Sequence, residues 1–500
     1  MLSTEPLSRI EFPSLAQPDL SELETPVNRA ILTPLIVAMS LLMETVDSTV
    51  ISTSLPIIAA DLQTDPLSLK LAMTTYLLSL AVFIPASGWI ADKFGAKRVY
   101  CAALVIFALG SVLSGSVTSL WQLVLTRAIQ GIGGSLMVPV ARLIVLKSVP
   151  REQMVAAFVW LTVPAMIGPL LGPPVGGFIS TYFSWRWIFF LNIPFCALGV
   201  ALAMLFIEDV REDHPGRFDM LGFMLSGVGF CGVVFGFSLL GGHFVSGPIN
   251  AAIFCTGVVS LTAYVFHARR AENPVLDLTL LRIQTFSIAL IGGTIFRVCN
   301  GAVPFLMPLL FQVGFGMTPI ESGLTTFFGG IGATCMKLTA PPILRHLGFR
   351  NTLTLNGIIV AIFYMVVALF TSETPHWMIL GVLLASGFFR SLQFTATNGL
   401  AFADIESQRM SRATTLNAAV QQAAASSGVA LGAAGVDFSR YLAGREQIAV
   451  ADFGVAFIGM GVVSLLSVIA FRRMPANAAE GISGPMFRTK RSAAASKPAE

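Results

Sequence analysis

Apolar stretches close to twenty residues long, separated by short polar turns, recur along the chain from residue 31 to residue 471. A helix needs about that length to cross roughly 30 Å of hydrocarbon at about 1.5 Å per residue, whereas a transmembrane barrel would show ten-residue alternating segments. The pattern predicts fourteen membrane-spanning helices, at 31–57, 69–91, 98–117, 121–146, 154–181, 186–207, 219–240, 247–267, 284–312, 319–344, 350–371, 376–402, 411–436 and 451–471. The thirteenth, rich in Ala and Gln (NAAVQQAAASSGVALGAAG), and the pair 219–267 carry the weakest patterns. An even number puts both termini on one side. With the termini in the cytoplasm, only Lys70, Arg186, Arg440 and Arg445 fall in outer loops and most of the 31 basic residues fall inside, so the positive-inside rule selects this topology.

Composition agrees. The chain is 55% hydrophobic and 12% charged, with a mean hydropathy of +0.78, where a soluble protein carries about a quarter charged residues. Cys101, Cys196, Cys231, Cys255, Cys299 and Cys335 all fall in apolar runs without a CxxC pair, as small packed hydrophobes would. The first thirty residues lack the charged start and apolar core of a cleaved signal peptide and read as a mobile tail, as does the basic end FRTKRSAAASKPAE.

An internal repeat orders the spans. GWIADKFGAKRV, 88–99, joins the second and third, and a degraded echo, PPILRHLGFRNTL, 341–353, joins the tenth and eleventh, with Gly95 matching Gly348 and Lys97 matching Arg350. Two six-helix halves with two extra helices between them explain this spacing. The expected organisation is a tail 1–30, a half 31–207, a linker pair 208–283, a second half 284–471 and a tail 472–500. Such repeats mark transporters, with sites between the halves near the midplane.

Polar chemistry inside the spans is sparse. LLMETVDSTV, 41–50, places Glu44 and Asp47 three apart on one helix face. A carboxylate at the bilayer centre costs about 2.5–3.5 kcal/mol on insertion scales. Either the pair is held by buried hydrogen bonds or by a base such as Arg127, or it lines a wet cavity where it binds and releases protons. Arg127, about two turns inside the fourth span, would act as a fixed charge, with a tether to backbone carbonyls or Gln130 as the plain alternative. Arg297 and Arg390 fall near mid-span and are cavity candidates; Lys337 can snorkel. If both arginines face the cavity, a purely cationic substrate is disfavoured. The chain has no GxxxxGK[ST], no HExxH and only five histidines, so neither ATP nor a metal is implied, and no cofactor or nucleic-acid partner is expected.

Several motifs together carry a resemblance. GWIADKFGAKR resembles the G-x-L-A-D-x-x-G-R-K loop of the major facilitator superfamily, LTRAIQGIGG (125–134) its fourth-helix R-x-x-Q-G, and VPAMIGPLLGPPVGG (163–177) the fifth-helix antiporter motif. METVDSTVISTSLP and SWRWIFFLNIP (184–194) are similar to the first and sixth helices of the fourteen-helix drug:proton antiporters of EmrB/QacA type, and the chain looks most like their MdtD subgroup. The resemblance implies an all-α major facilitator fold in the inner membrane and a non-enzymatic exporter of lipophilic, cationic or neutral small molecules, driven by protons.

Asp47, with Glu44 and Arg127, would couple protons to substrate. Glu44 stands where the family more often has an uncharged residue. Gly88, Asp92, Gly95, Lys97 and Arg98 would form a cytoplasmic gate loop whose carboxylate docks on a neighbouring helix end, though a solvated turn is the plain reading; the second-half counterpart of Asp92 is Arg345, so that latch should be weak or absent. Pro164, Gly168, Pro169, Gly172, Pro173, Gly176 and Gly177 would make a hinge helix and seal between the halves, on top of their plain packing role. Phe158, Trp160, Phe296, Phe305 and Phe311 are candidate pocket aromatics. A monomer is expected, with any accessory export partner left open; a metabolite symporter or a non-transporting membrane scaffold are the competing readings.

Overall fold

The computed structural model describes residues 26–209, 216–239 and 245–475, so the tails expected at 1–30 and 472–500 lie largely outside the described residues. Twelve helices there are long and apolar enough to span a membrane. They are α1 (Ile31–Asp61), α2 (Pro66–Phe94), α3 (Ala96–Gly115), α4 (Leu120–Ser148), α5 (Met154–Tyr182), α6 (Trp187–Phe206), α7 (Met220–Ser238), α8 (Gly247–Ala268), α9 (Gln284–Gly314), the long helix Pro319–Val367, α12 (His376–Phe402) and α14 (Val450–Arg472). Pro319–Val367 is two spans, because Gly348 interrupts it with φ 74° and ψ 162°. We label 319–347 as α10 and 349–367 as α11. The Ala-rich Met410–Leu442 is α13, too weakly apolar to register by hydropathy but packed between α2, α7, α9 and α14. Fourteen spans result, with ends close to those expected.

Gly95 and Gly348 make the repeat physical. Both take left-handed φ, 94° and 74°, at the turn between successive spans, where a side chain would be strained. We call the end of the bundle carrying these two turns the near end, and the opposite end the far end.

Three large apolar cores divide the bundle along its length, with a small fourth at Met336, Ala340 and Leu392. One joins both halves at the far end, running from Val50, Leu71 and Leu123 of the first half to Phe311, Val367 and Val436 of the second. Toward the near end it splits: Ile36, Tyr100, Ile144 and Cys196 belong to a core of the first half alone, and Phe286, Leu353, Leu400 and Leu416 to a core of the second with α8. The halves therefore close on each other at the far end and part toward the near end.

Small residues and polar contacts make the far-end closure tight. An added Cβ at Gly177 of α5 would lie 2.5 Å from the Pro319 carbonyl of α10, and one at Gly323 of α10 would strike the Pro173 carbonyl. Gln312 Nε2 donates to the Thr53 carbonyl at 2.9 Å, and Ser426 Oγ of α13 to the Thr74 carbonyl of α2 at 2.8 Å. Helices α7 and α8 pack chiefly on each other, and α7 also packs on α2 and α13, which makes the pair peripheral.

Candidate transport site

Asp47 sits mid-bundle on α1, 2% exposed. Its Oδ2 accepts from Arg127 Nη1 at 2.7 Å, and its Oδ1 accepts from Gln130 Nε2 at 2.8 Å and Asn192 Nδ2 at 2.7 Å. Gln130 and Asn192 also donate to Ser111 Oγ, at 2.8 and 3.0 Å. Arg127 and Gln130 lie one helical turn apart on α4, so one face of α4 delivers both, and Arg127 Nη1 also donates to Gln130 Oε1 at 2.5 Å. The guanidinium lies over the Tyr76 ring, 4.0 Å from its centroid. Every partner of the carboxylate is a donor, which suits its ionised form, and Arg127 leaves the buried pair neutral.

Of the alternatives that the sequence left open for this cluster, the held arrangement is the one seen in this conformation: Arg127 pairs with Asp47 and is tethered to Gln130. Ser111 and Asn192 were not foreseen, although Asn192 lies inside SWRWIFFLNIP; a lone amide in an apolar run was the available signal. In this conformation Asp47 is enclosed by its partners and does not border open space.

Glu44, one turn nearer the near end on the same face, differs. It is half-buried and makes no hydrogen bond or ion pair among the described residues. Arg142 of α4 acts on it electrostatically and is itself exposed. The sequence reading did not single out Arg142, whose place at the inner part of a span resembled ordinary positive-inside anchoring.

The second half supplies cations without acids. Arg297 on α9 is buried and donates to Asn398 Oδ1 at 2.7 Å and Asn417 Oδ1 at 3.2 Å. Arg390 on α12 is half-buried and has no hydrogen bond or ion pair among the described residues; its buried Nε is unpartnered, as is the hydroxyl of neighbouring Tyr364. Of the anticipated partners, Asn398 meets Arg297, while Gln393 bonds Asn356 instead. Lys337 is exposed on the near part of α10.

The near-end loop is anchored inside the first half. Asp92 Oδ1 meets Lys147 Nζ at the end of α4 at 3.2 Å, Lys97 Nζ donates to the Met204 carbonyl at 2.8 Å, and Arg98 Nε meets Asp209 Oδ2 at 3.0 Å. An added Cβ at Gly95 would collide with the Asp209 carboxylate, whereas one at Gly88 would meet nothing. Gly88 is thus not a close-approach point in this conformation. Arg345, counterpart of Asp92, is exposed and makes no ion pair among the described residues.

On α5, Gly168, Gly172 and Gly176 face α1, where added side chains would strike Thr45, Thr49 and Val50, and Gly177 faces α10. Pro164, Pro169, Pro173 and Pro174 lie within the helix. The expected pocket aromatics need correction: Phe296, Phe305 and Phe311 are fully buried in the far-end core, because they lie on the closed side of the bundle, and Phe158 packs against the first-half core. Trp160 alone of the five is exposed.

Fourteen spans in two halves that meet around a buried charged cluster at mid-depth are the architecture of a secondary transporter. The chain belongs to the Major Facilitator Superfamily, whose family pattern matches residues 37–429; it is a membrane transporter and not an enzyme. Proteins named "Putative multidrug resistance protein MdtD" are similar along almost all of it. That of Pectobacterium atrosepticum is 36% identical over 444 residues, covering 88% of this chain and 95% of that one. That of Serratia proteamaculans is 35% identical, covering 88% and 93%, and that of Escherichia coli 34% identical over 463 residues, covering 92% and 97%. The resemblance read from the motifs therefore holds. Among solved structures, a D-xylose-proton symporter matches with TM-score 0.64 at 16% identity over 91% of this chain and 99% of that one, and the nucleoside transporter NupG with 0.59 at 17% over 89% and 100%. At such identities they share the fold.

Proposed function

We propose that the protein is a proton-coupled exporter of lipophilic small molecules in the inner membrane, working by alternating access with the near end and both termini in the cytoplasm. The orientation rests on charge. The four basic residues at the far end are all matched to acids: Lys70 to Asp437 (3.3 Å), Arg186 to Asp61 (2.7 Å), Arg440 to Asp65 and Asp437 (2.9 Å each) and Arg445 to Asp452 (2.7 Å). The near end carries more bases: Arg98, Lys147, Arg409 and Arg412 pair with acids there, and Arg269, Arg282 and Arg345 stand exposed besides, an excess in number of the kind the positive-inside rule asks of a cytoplasmic face.

The observation that carries the mechanism is the enclosed Asp47–Arg127 pair beside the half-buried Glu44, which has no bonded partner among the described residues. In the inward-facing state the ionised Asp47 is satisfied by three donors and Glu44 meets the substrate. When the bundle opens outward, water reaches Asp47; a proton there removes the charge that holds Arg127, and the rearranged pair favours release. Closing the cycle returns the proton to the cytoplasm. Glu44 favours a cationic group on the substrate, while Arg142 and Arg390 oppose a second one. The MdtD names of its relatives point the same way.

The test is drug efflux from proteoliposomes under an imposed pH gradient. Asp47→Asn is expected to abolish gradient-driven export while the protein remains folded in the bilayer; full pH-dependent export by that variant would remove Asp47 from the role. The pH change that accompanies substrate movement separates antiport from import by symport.

A further inference from the structure

At the near end, the connection from α8 to α9 folds against the start of α13 around a cavity of about 550 Å3. Its wall carries Arg269, Arg282, Arg409 and Arg412 against two acids, Glu272 and Asp277. Asp277 is fully engaged: it accepts from Thr279 N at 3.0 Å and Arg409 Nη2 at 3.1 Å, and lies 3.6 Å from Arg412. Arg412 also donates to Asn273 Oδ1 at 3.0 Å. Arg269 and Arg282 are exposed and make no hydrogen bond or ion pair among the described residues. The cavity therefore keeps two guanidinium groups whose donors have no protein acceptor, in a wall with an excess of positive charge.

Its position says what brings the anion. Helix α8, which ends in the cavity wall, is the most lipid-facing of the hydropathy-defined spans, with 17% of its apolar window buried. Phe266, one turn before Arg269, is 58% exposed, and Leu281, beside Arg282, is 38% exposed. A ligand seated here has cationic forks at the level of the membrane surface and apolar side chains below it. Guanidinium groups bind phosphate oxygens through charge-assisted hydrogen bonds, and basic pockets between membrane helices at this level suit anionic headgroups.

We propose that this cavity binds the phosphate-bearing headgroup of an anionic phospholipid, held by Arg269 and Arg282 while Arg409 and Arg412 stay committed to Asp277, with the acyl chains lying along α8. A lipid so placed adds a tie between α8 and the near ends of α9 and α13, beside the direct packing of α7 on α13. It does not depend on what is transported.

The experiment titrates the purified full-length protein in detergent with phosphatidylglycerol, phosphatidylcholine or inorganic phosphate, reading retained lipid by native mass spectrometry and the melting temperature. Phosphatidylglycerol is expected to be retained and to raise the melting temperature. Arg269→Ala with Arg282→Ala should weaken its binding by about tenfold or more, Arg269→Lys with Arg282→Lys should keep most of it, and Arg472→Ala with Arg473→Ala, elsewhere on the same face, should leave it unchanged. Unchanged binding by the alanine pair, an equal loss in the Arg472/Arg473 control or in the lysine pair, or equal retention of phosphatidylcholine would overturn the proposal. Equal protection by inorganic phosphate would overturn a lipid as the source of the anion.

Discussion

Lys70 on α2 and Asp437 on α13 form a 3.3 Å ion pair across the two halves, 1% and 7% exposed. Arg440 extends it, joining Asp437 to Asp65 at 2.9 Å each. Sequence position alone had placed Lys70 and Arg440 in outer loops; in the folded protein they fasten the far end shut. Removing one member of a buried pair costs about 3–5 kcal/mol because the other charge is stranded. An equilibrium between the two openings inverts over about 5.5 kcal/mol, so Asp437→Asn should raise the outward-open population steeply. A cysteine placed at Ser426, buried between α2 and α13, would report it in a background without the native cysteines. Labelling by a membrane-impermeant maleimide should rise more than tenfold; no change would show that the pair is not a gate.

The same reasoning applied to Arg127 gives an ordering. Arg127→Ala strands Asp47 with two amide donors and should lower thermal stability by about 3–5 kcal/mol. Asp47→Asn combined with Arg127→Gln removes both charges and should recover most of that loss without restoring transport. Size-exclusion profiles after heating would distinguish the two, and a double variant as unstable as the single one would contradict the pairing.

Glu44→Gln should act on substrate and leave the proton cycle running. Loss of one partly solvated charge contact amounts to about a fivefold rise in KM for a cationic substrate, with kcat and the response to the pH gradient kept. Equal loss for cationic and neutral substrates would argue against a charge contact.

Gly88 and Gly177 should separate the two conformations. An alanine at Gly88 meets open space here and relieves a helical glycine, a gain of roughly 0.5–1 kcal/mol, so stability should hold or rise while turnover falls if the loop closes tightly in the outward state. Gly177→Ala is expected to push α5 from α10 and loosen the far end. Melting temperatures and transport rates measured side by side test both.

Asp277 carries a pH signature. Burial works to raise its carboxyl, but hydrogen bonds from Thr279 and Arg409, with the Arg409 charge, outweigh it and hold the group below the usual carboxylate range. A depressed carboxylate contributes stability above its unfolded value of about 3.9 and loses it as pH falls through the folded one. The parent protein should therefore lose melting temperature below about pH 4 more steeply than Asp277→Asn; parallel curves would exclude the contribution.

Much of the fold was legible because hydrocarbon imposes a length and a composition on each span, and Gly95 and Gly348 marked the repeat. The thirteenth span was the hardest to read, since its Ala, Ser and Gln face helices and not lipid. The acid at the centre of the site was legible for the same reason, as a charge in an apolar run. Its enclosure was not, because Asn192 reaches it from a second helix while Ser111 of a third braces Asn192 and Gln130, and nothing local announces a meeting. The aromatics misled, since a phenylalanine reads alike whether it packs in a closed core or borders a chamber.

Each half keeps a private core near one end and shares one at the other. Only the shared part must be undone when the molecule changes which face it opens. A chain severed between α8 and α9 should therefore still yield two fragments that fold when produced together and find each other through the common surface, making transport a repeated partial dissociation of one molecule from itself.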